Sequence, residues 1–365
     1  MALVLSLTMT ACGSTEQPSA STRRPSASTE PLSASKRAAA TRFLSRYVAS
    51  DGRVIRHDQG GDIVSEGQAY AMLIAEAARQ PALVRTIWSW TSAHLGRSDG
   101  LFASRATGSG QIQDPQSATD ADILLAFALL RYTGPDQATL NRAGRRVAAA
   151  VLTQETVTLP DGGPLPVAGP WAKLTAPPTV DPSYLMPGVF VALARLTGDD
   201  RWSRAADTAI ALIGDLTAGG HRLPPDWAQL KGDRLVAIAS PSGRAGVQYG
   251  FDAERLPIWF ATACSSTARR LAVSWWHNIL SSNGRSGPQT LSLTGATINP
   301  SPAPLPLLAG AATAAAAGDR GAARELRARA ASLARQDPTY YGDAWAALGP
   351  ALIDRAISPC NETGV

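Results

Sequence analysis

Three carboxylate-bearing segments stand out in this chain, and each opens a stretch with the apolar spacing of a helix. They are Ser65-Glu66-Gly67-Gln68-Ala69-Tyr70-Ala71-Met72, Ala118-Thr119-Asp120-Ala121-Asp122 and Phe251-Asp252-Ala253-Glu254-Arg255. A carboxyl that gives a proton and a carboxylate that takes one are the working parts of general acid–base catalysis. Local physics also offers a structural account of each segment. Ser65 and Gln68 form an S-x-x-Q capping box, with Glu66 a first-turn acid favoured by the helix dipole. Thr119 or Asp120 suits an N-cap, and so does Asp252 with a surface Arg255 one turn on. A cap explains one acid of the Asp120/Asp122 pair but not both.

The elements that must bring these acids together are helices. Apolar residues recur at helical spacing over 38–48, 66–78, 83–95, 120–132, 137–151, 184–196, 202–216, 253–263, 268–280, 304–317, 321–333 and 340–356. Turn-rich connections such as Thr133-Gly134-Pro135-Asp136 and Thr197-Gly198-Asp199-Asp200 separate them. Strand signals are confined to 156–159 and 235–238. Twelve helices in successive hairpins suit either an (α/α)6 toroid or a helical solenoid. A solenoid should repeat at a fixed period and none is visible, so the all-α (α/α)6 barrel is the expected fold. In such a barrel the N-terminal ends of the inner helices point into one groove.

The motifs SEGQ-x-Y-x-M, A-T-D-A-D and D-A-E-R, in that order, resemble family-8 glycoside hydrolases, which include bacterial endoglucanases. The likeness runs from about Thr41 to the C-terminus. The resemblance implies the same (α/α)6 fold and an inverting, endo-acting hydrolysis of β-1,4-linked glucan, with no cofactor and no metal. It implies that Glu66 is the general acid and Asp252 the general base. Asp120 would lie beside the sugar being cleaved, bond its hydroxyls and help distort the ring, whereas Asp122 is assigned a structural place. Asp120 and Asp122 are two apart, so on a helix they point to nearly opposite sides, which argues against a shared metal.

Inverting hydrolysis needs one protonated carboxyl for the leaving oxygen and one carboxylate to activate water on the opposite face. A helix N-terminus favours the ionised form of a carboxyl, whereas an acid catalyst must hold its proton. A second carboxylate in a partly dry cleft would offset the dipole, and Asp120 is the candidate. Arg255, one turn beyond Asp252, could orient or neutralise a carboxylate.

Sugar clefts also need aromatic platforms, and nine Trp against six Phe is a bias toward rings with a polar edge. Tyr184 in Pro182-Ser183-Tyr184-Leu185-Met186-Pro187 and Trp227 in Pro225-Asp226-Trp227-Ala228 resemble family segments. Together with Arg255, Gln68 and Arg105 they are the expected substrate-binding residues. Trp88 and Trp90, two apart on a helix, can place at most one ring in any groove. Trp202, Trp275, Trp276 and Trp345 are assigned to the core. Two departures bear on the substrate: Arg105 stands where many relatives carry a stacking Trp, and Phe251 replaces a common Tyr.

The 365 residues carry a net charge of +5 that is scattered rather than blocked, which argues against nucleic acid as a partner. Met9-Thr10-Ala11-Cys12 closes an apolar run and resembles a bacterial lipoprotein signal, with Cys12 the lipidation site. No Lys or Arg precedes the run, which a start codon further upstream would explain. The expected organisation is a signal segment at 1–12, a Ser/Thr/Pro-rich linker at 13–37 and a catalytic domain at 38–365. The protein is expected to be exported, extracellular or anchored to the cell envelope, touching membrane only through that anchor, and monomeric. Cys264 and Cys360 either pair in an oxidising compartment or stand as two buried thiols.

A competing expectation is a non-catalytic glycan-binding lipoprotein on the same scaffold, and within the enzyme class xylan, mixed-linkage glucan and chitosan stay open. A lyase would want a Tyr/His or Arg/Asn cluster, and none of the four histidines falls in a motif. No G-x-S-x-G nucleophile, metal-ligand spacing or phosphate-binding Gly loop is present.

Overall fold

A computed structural model describes residues 34–360. The signal-like segment with Cys12, and most of the 13–37 linker, lie outside the described residues. The first helix begins at Ala34.

The described residues form thirteen helices: α1 (Ala34–Tyr47), α2 (Ser65–Ala77), α3 (Pro81–His94), α4 (Thr119–Arg131), α5 (Gln137–Gln154), α6 (Pro170–Lys173), α7 (Pro187–Thr197), α8 (Arg201–Leu216), α9 (Leu256–Ala261), α10 (Ser266–Trp275), α11 (Pro304–Ala316), α12 (Arg320–Gln336) and α13 (Tyr340–Ile353). All twelve expected helical segments are present, and α6 is a single added turn. The expected 184–196 helix starts later, at Pro187, a residue pre-set for the first helical position. Tyr184 falls instead in the 3₁₀ turn Pro182–Tyr184.

Burial sorts the helices into two layers. The inner ring is α2, α4, α7, α9, α11 and α13; each packs on the next, and α13 returns to α2, which closes the barrel. The outer layer places α1 on α13, α3 on α2, α5 on α4, α8 on α7, α10 on α9 and α12 on α11. This is the expected (α/α)6 barrel. Inner helices are apolar on all sides: in α4, only Arg131 escapes burial. Outer helices bury one stripe. In α12, Ala322, Ala323, Leu326, Ala330 and Ala334 face inward, while Arg324, Arg329 and Arg335 face water. The layers approach closely where side chains vanish, as at Gly144 of α5, where a Cβ would meet Leu130 of α4 at 2.8 Å.

Trp202, Trp275 and Trp345 are fully buried and Trp276 nearly so, as expected of core tryptophans. Truncating one of the three to alanine would cost about 3–5 kcal/mol. Trp90 is buried against His94, and Trp88 packs edge-on against Phe102. A disulfide joins Cys264 to Cys360, which ties the last described residues to the turn after α9. No helix among the described residues is long and apolar enough to cross a membrane.

The connections are unequal at the two ends of the barrel. Links from an inner helix to the next outer one (78–80, 132–136, 198–200, 262–265 and 317–319) are three to five residues long. Links from outer to inner helices are long and carry the strands, except the three-residue link 337–339 between α12 and α13. There β1 (Ile63–Val64), β2 (Arg105–Ala106) and β3 (Ile112–Asp114) form one antiparallel sheet. Next come the hairpin of β4 (Thr156–Thr158) with β5 (Pro164–Pro166), and the sheet of β6 (Thr179–Val180), β7 (Trp227–Lys231) and β8 (Arg234–Ile238). A last hairpin pairs β9 (Pro288–Leu291) with β10 (Thr297–Pro302). All the elaboration therefore stands at the N-terminal ends of the inner helices. That is where the acids are.

Candidate active site

Each acid reaches the cleft from the start of a different inner helix. Glu66 is the second residue of α2, Asp120 the second of α4, and Asp252 precedes the short 3₁₀ turn Ala253–Arg255 that runs into α9. Arg255, only 4% exposed at its side chain, joins them. Its Nη1 donates to Glu66 at 2.6 Å and to Asp120 at 2.9 Å, and its Nη2 donates to Asp252 at 3.1 Å. The Tyr70 hydroxyl, one turn along α2, donates to the same Glu66 oxygen at 2.7 Å.

Two cavities meet at this cluster. The larger, about 450 Å³, is lined by Arg56, Asp58, Phe251, Gln289, Asp337 and Tyr341 among others. The smaller, about 220 Å³, is lined by Arg105, Asp114, Tyr184 and Arg255. Glu66 and Asp252 line both lobes; Asp120 faces the smaller. A chain-like ligand laid through the two lobes would cross the acids in its middle. Aromatic surface is present on each side: Tyr184 beneath the Arg255 guanidinium at 5.4 Å, and Phe251 edge-on to Tyr341 at 6.0 Å between ring centres.

Two of the carboxyls hold protons more tightly than usual. Asp120 is pushed up to about 7 by burial, against the pull of Arg255 and with the push of Glu66. Asp252, its side chain 39% exposed to the cleft, is pushed up to about 6. Loss of solvent between the cleft walls is the largest cause; Arg255 opposes it, and Asp226 and Glu66 add to it. Asp252 is therefore a carboxylate at neutral pH with more basicity than a free aspartate.

The expected residues divide. Glu66, Asp120, Asp252, Arg255, Tyr184 and Arg105 are brought to the cleft. Arg105, half exposed, ion-pairs with Asp62, which also pairs with Arg56. Gln68 is not brought there. It is fully buried, accepts from the Val54 N–H at 2.7 Å, and donates to the Gly52 carbonyl and to Thr91. It is a strut between α2, α3 and the 52–54 turn rather than a substrate-binding residue, and it takes no part in a capping box: Val64 is the N-cap, and Ser65 Oγ has no partner. Trp227, at the start of β7, is half-buried against the core and lines neither lobe.

Three site residues were not anticipated, and two lie beside ones that were. Asp181, three residues before Tyr184, is fully buried, and its Oδ1 accepts from the backbone and hydroxyl of Ser183. Ser183 in turn accepts from Arg255 Nη2 at 2.7 Å. Asp226, next to Trp227, accepts from the N–H groups of Gly250 and Ala253 and from Gln248, and so holds the turn that carries Asp252. Tyr341 donates to the Phe251 carbonyl. Gly67 has a local reason as well: a Cβ there would fall against the Tyr340 hydroxyl, where α2 meets α13.

A family profile described as glycosyl hydrolases family 8 matches residues 25–349. The chain belongs to that family. Among similar proteins, a probable endoglucanase of Novacetimonas hansenii is 30% identical over 254 residues, covering 65% of this chain and 70% of that protein. An endoglucanase of Cellulomonas uda is 29% identical, covering 62% of this chain and 63% of that protein, just under two thirds of its length. In structure, a β-1,3-1,4-glucanase from Paenibacillus sp. X4 superposes with a TM-score of 0.76 at 20% identity, covering 88% of this chain and 91% of that one. The family-8 chain is a glycoside hydrolase with the barrel of its relatives.

Proposed function

We propose that the chain is an inverting endo-β-1,4-glucanase acting on cellulose-type β-glucan, with Glu66 as general acid and Asp252 as general base. The observation that carries the reading is the placement of both acids in the floor of two confluent lobes, each on a different nitrogen of Arg255. A chain bound across both lobes is cut internally. Asp252 takes a proton from water as its oxygen attacks the anomeric carbon; the glycosidic C–O bond breaks, and the proton of Glu66 goes to the leaving oxygen. Asp120 bonds sugar hydroxyls in the smaller lobe, and Arg255 keeps the acids oriented throughout. The endoglucanase names of the relatives support this substrate class.

The proposed setting is the cell envelope. The lipobox-like Met9-Thr10-Ala11-Cys12 supports export and an anchor at Cys12, and the Cys264–Cys360 disulfide suits an oxidising compartment. Labelling with radioactive palmitate, lost in Cys12→Ser, tests the anchor.

The catalytic test is hydrolysis of carboxymethyl cellulose, barley β-glucan, xylan and chitosan by the full chain. Glu66→Gln and Asp252→Asn are expected to lose at least about 10³-fold in kcat on whichever glucan is cleaved. The product should appear first as the α-anomer. Retained β-configuration would overturn the acid and base assignment. Binding of a glucan without cleavage would replace the enzyme by a glycan-binding protein.

A further inference from the structure

Asp62, buried just ahead of Glu66, takes N–H groups from two arginines. Its Oδ1 accepts from Arg56 Nε at 2.8 Å and its Oδ2 from Arg56 Nη2 at 2.6 Å, a bidentate pair. Oδ2 accepts from Arg105 Nε as well. Backbone pairing sets this arrangement. Arg56 and Asp62 face each other across an isolated antiparallel bridge, where the Arg56 N–H donates to the Asp62 carbonyl at 2.9 Å. Beyond Asp62, β1 pairs with β2 so that Val64 stands opposite Arg105, and the Ser65 N–H donates to the Ser104 carbonyl at 3.0 Å. Arg105 is thereby fixed beside the first turn of α2, the turn that carries Glu66.

The two arginines enter different lobes. Arg56 lines the larger and Arg105 the smaller, and the lobes meet at Glu66, which lines both. A strut would need only one of them, since Arg56 alone neutralises Asp62 through both oxygens. Arg105 is the surplus cation, half exposed and held by its Nε only. Donors are left over on each side. Arg56 Nη1 and both terminal nitrogens of Arg105 have no hydrogen-bond partner among the described residues. Asp58 and Asp114 line the same lobes but are engaged by backbone: Asp58 accepts from the Tyr340 N–H and Asp114 from the Gln116 N–H. Among the described residues, neither makes an ion pair with Arg56 or Arg105.

We propose that Asp62 is a positioning residue that holds Arg56 and Arg105 as paired donors, one for the sugar unit on each side of the bond that is cut. This role rests on the cleft being the glycan site, and it adds Arg56 and Asp62 to that site. The matching ligand chemistry is that of sugar hydroxyls. Guanidinium N–H groups held in a fixed plane bond oxygens at the edge of a pyranose, whereas aromatic rings such as Tyr184 and Phe251 offer a surface to its face. Because one buried carboxylate fixes both arms in advance, a bound chain pays little to order them. Contacts to hydroxyls away from the reacting atoms are the same before and during bond cleavage, so their loss falls on KM rather than kcat.

The test is a double-mutant cycle of Asp62→Asn and Arg105→Gln in the full chain, with Arg56→Gln beside it. KM and kcat are measured on the cleaved glucan, and affinity for cellohexaose by calorimetry. Arg56→Gln and Arg105→Gln should each raise KM about tenfold, as loss of a hydrogen bond from a charged donor does, with kcat within about threefold of the wild type. Asp62→Asn releases both arms and should raise KM at least as far. Adding Arg105→Gln to it should then change KM by less than about twofold, because the arm is already lost. A merely structural Asp62 would lower the unfolding midpoint and leave KM alone. Wild-type KM in either arginine variant, or effects of Asp62→Asn and Arg105→Gln that multiply, overturns the clamp. Should Asp62→Asn fail to fold, Asp62→Glu, which displaces the carboxylate by one methylene, takes its place in the cycle. A chain that cleaves no glucan would sink the functional reading, and the same ratios in cellohexaose affinity would then judge the clamp. No affinity for cellohexaose in the wild type overturns both.

Discussion

Arg255 Nη1 and Glu66 Oε1 are 2.6 Å apart, although 189 residues separate them in the chain. The contact joins the start of α9 to the start of α2 across the mouth of the barrel. It also places one cation among four acids, since Asp120, Asp252 and Asp181 lie within 2.9, 3.1 and 3.6 Å of the same guanidinium. One positive charge cannot hold four carboxylates ionised in a space with little water, so the cluster must keep protons. Burial with the push of neighbouring acids accordingly raises Asp181 well above its usual range, as it raises Asp120.

Removal of Arg255 should therefore be severe. In Arg255→Ala the buried Asp120 and Asp181 lose their counter-charge, and breaking a buried pair in this way costs about 3–5 kcal/mol of stability. The loss in kcat/KM should be about 10²–10³-fold. Arg255→Lys keeps the charge but not the fork that reaches Glu66 and Asp252 through separate nitrogens. Asp252 should then hold its proton more tightly, so the acid limb of the pH–kcat/KM profile should move to higher pH. A lysine variant with the wild-type profile would show that the fork geometry is immaterial.

Stability should fall, not rise, between pH 5 and pH 8. Asp252 at about 6 and Asp120 at about 7 are raised above their ordinary values. The folded chain binds their protons more tightly than the unfolded chain, so their contribution is full below about pH 4 and is lost as pH rises through 6 and 7. Paired acids with lowered values, such as Asp62 and Asp99, act only below about pH 4 and do not oppose this trend. Thermal unfolding followed across pH should show the decline, and Asp120→Asn, which mimics the protonated form, should flatten part of it. A midpoint that climbs from pH 5 to pH 8 in the wild type would contradict the assignment.

The fold was legible because inner and outer helices carry the same 3.6-residue signal, and the layers differ only in how much of the circumference is apolar. The strands were mostly hidden. Those of the 105–114 excursion are two and three residues long, and those of the 288–302 excursion are interrupted by Pro, so alternation has no length over which to show. At the site, motifs led to the right turns and sometimes to the wrong residue in them. Around Trp227 and Tyr184 the rings drew attention, yet Asp226 and Asp181 hold the geometry. A buried acid that accepts from backbone N–H groups leaves no periodic trace. Gln68 erred the other way: it sits in a catalytic motif because that motif is also where α2 is braced.

That brace can be tested by separating stability from binding. Gln68→Ala leaves the Val54 N–H without its acceptor and the Gly52 carbonyl without its donor in the interior, a loss of about 2–4 kcal/mol. The unfolding midpoint should drop while KM on the cleaved glucan stays within about twofold of the wild type at a temperature where both are folded. A tenfold rise in KM at unchanged stability would return Gln68 to the substrate.

Asp226 offers the sharpest separation of scaffold from chemistry. Its Oδ1 receives the N–H groups of Gly250 at 2.9 Å and Ala253 at 3.0 Å, so the backbone on both sides of Asp252 hangs from one oxygen. Asp226→Ala frees that turn. A displacement of about 1 Å in the base is enough to cost about 10²-fold in kcat. Asp226→Asn keeps the oxygen for both N–H groups, and Gln248 can turn its carbonyl toward the new amide, so kcat at neutral pH should stay near the wild-type value. What changes is the charge. Asp226 is one of the acids that push Asp252 up to about 6. With a neutral amide in its place, Asp252 should give up its proton more readily, and the acid limb of kcat/KM should move to lower pH. A purely structural Asp226 would leave that limb where it is, and an asparagine variant with an unshifted limb would mean that the charge of Asp226 is not felt at the base.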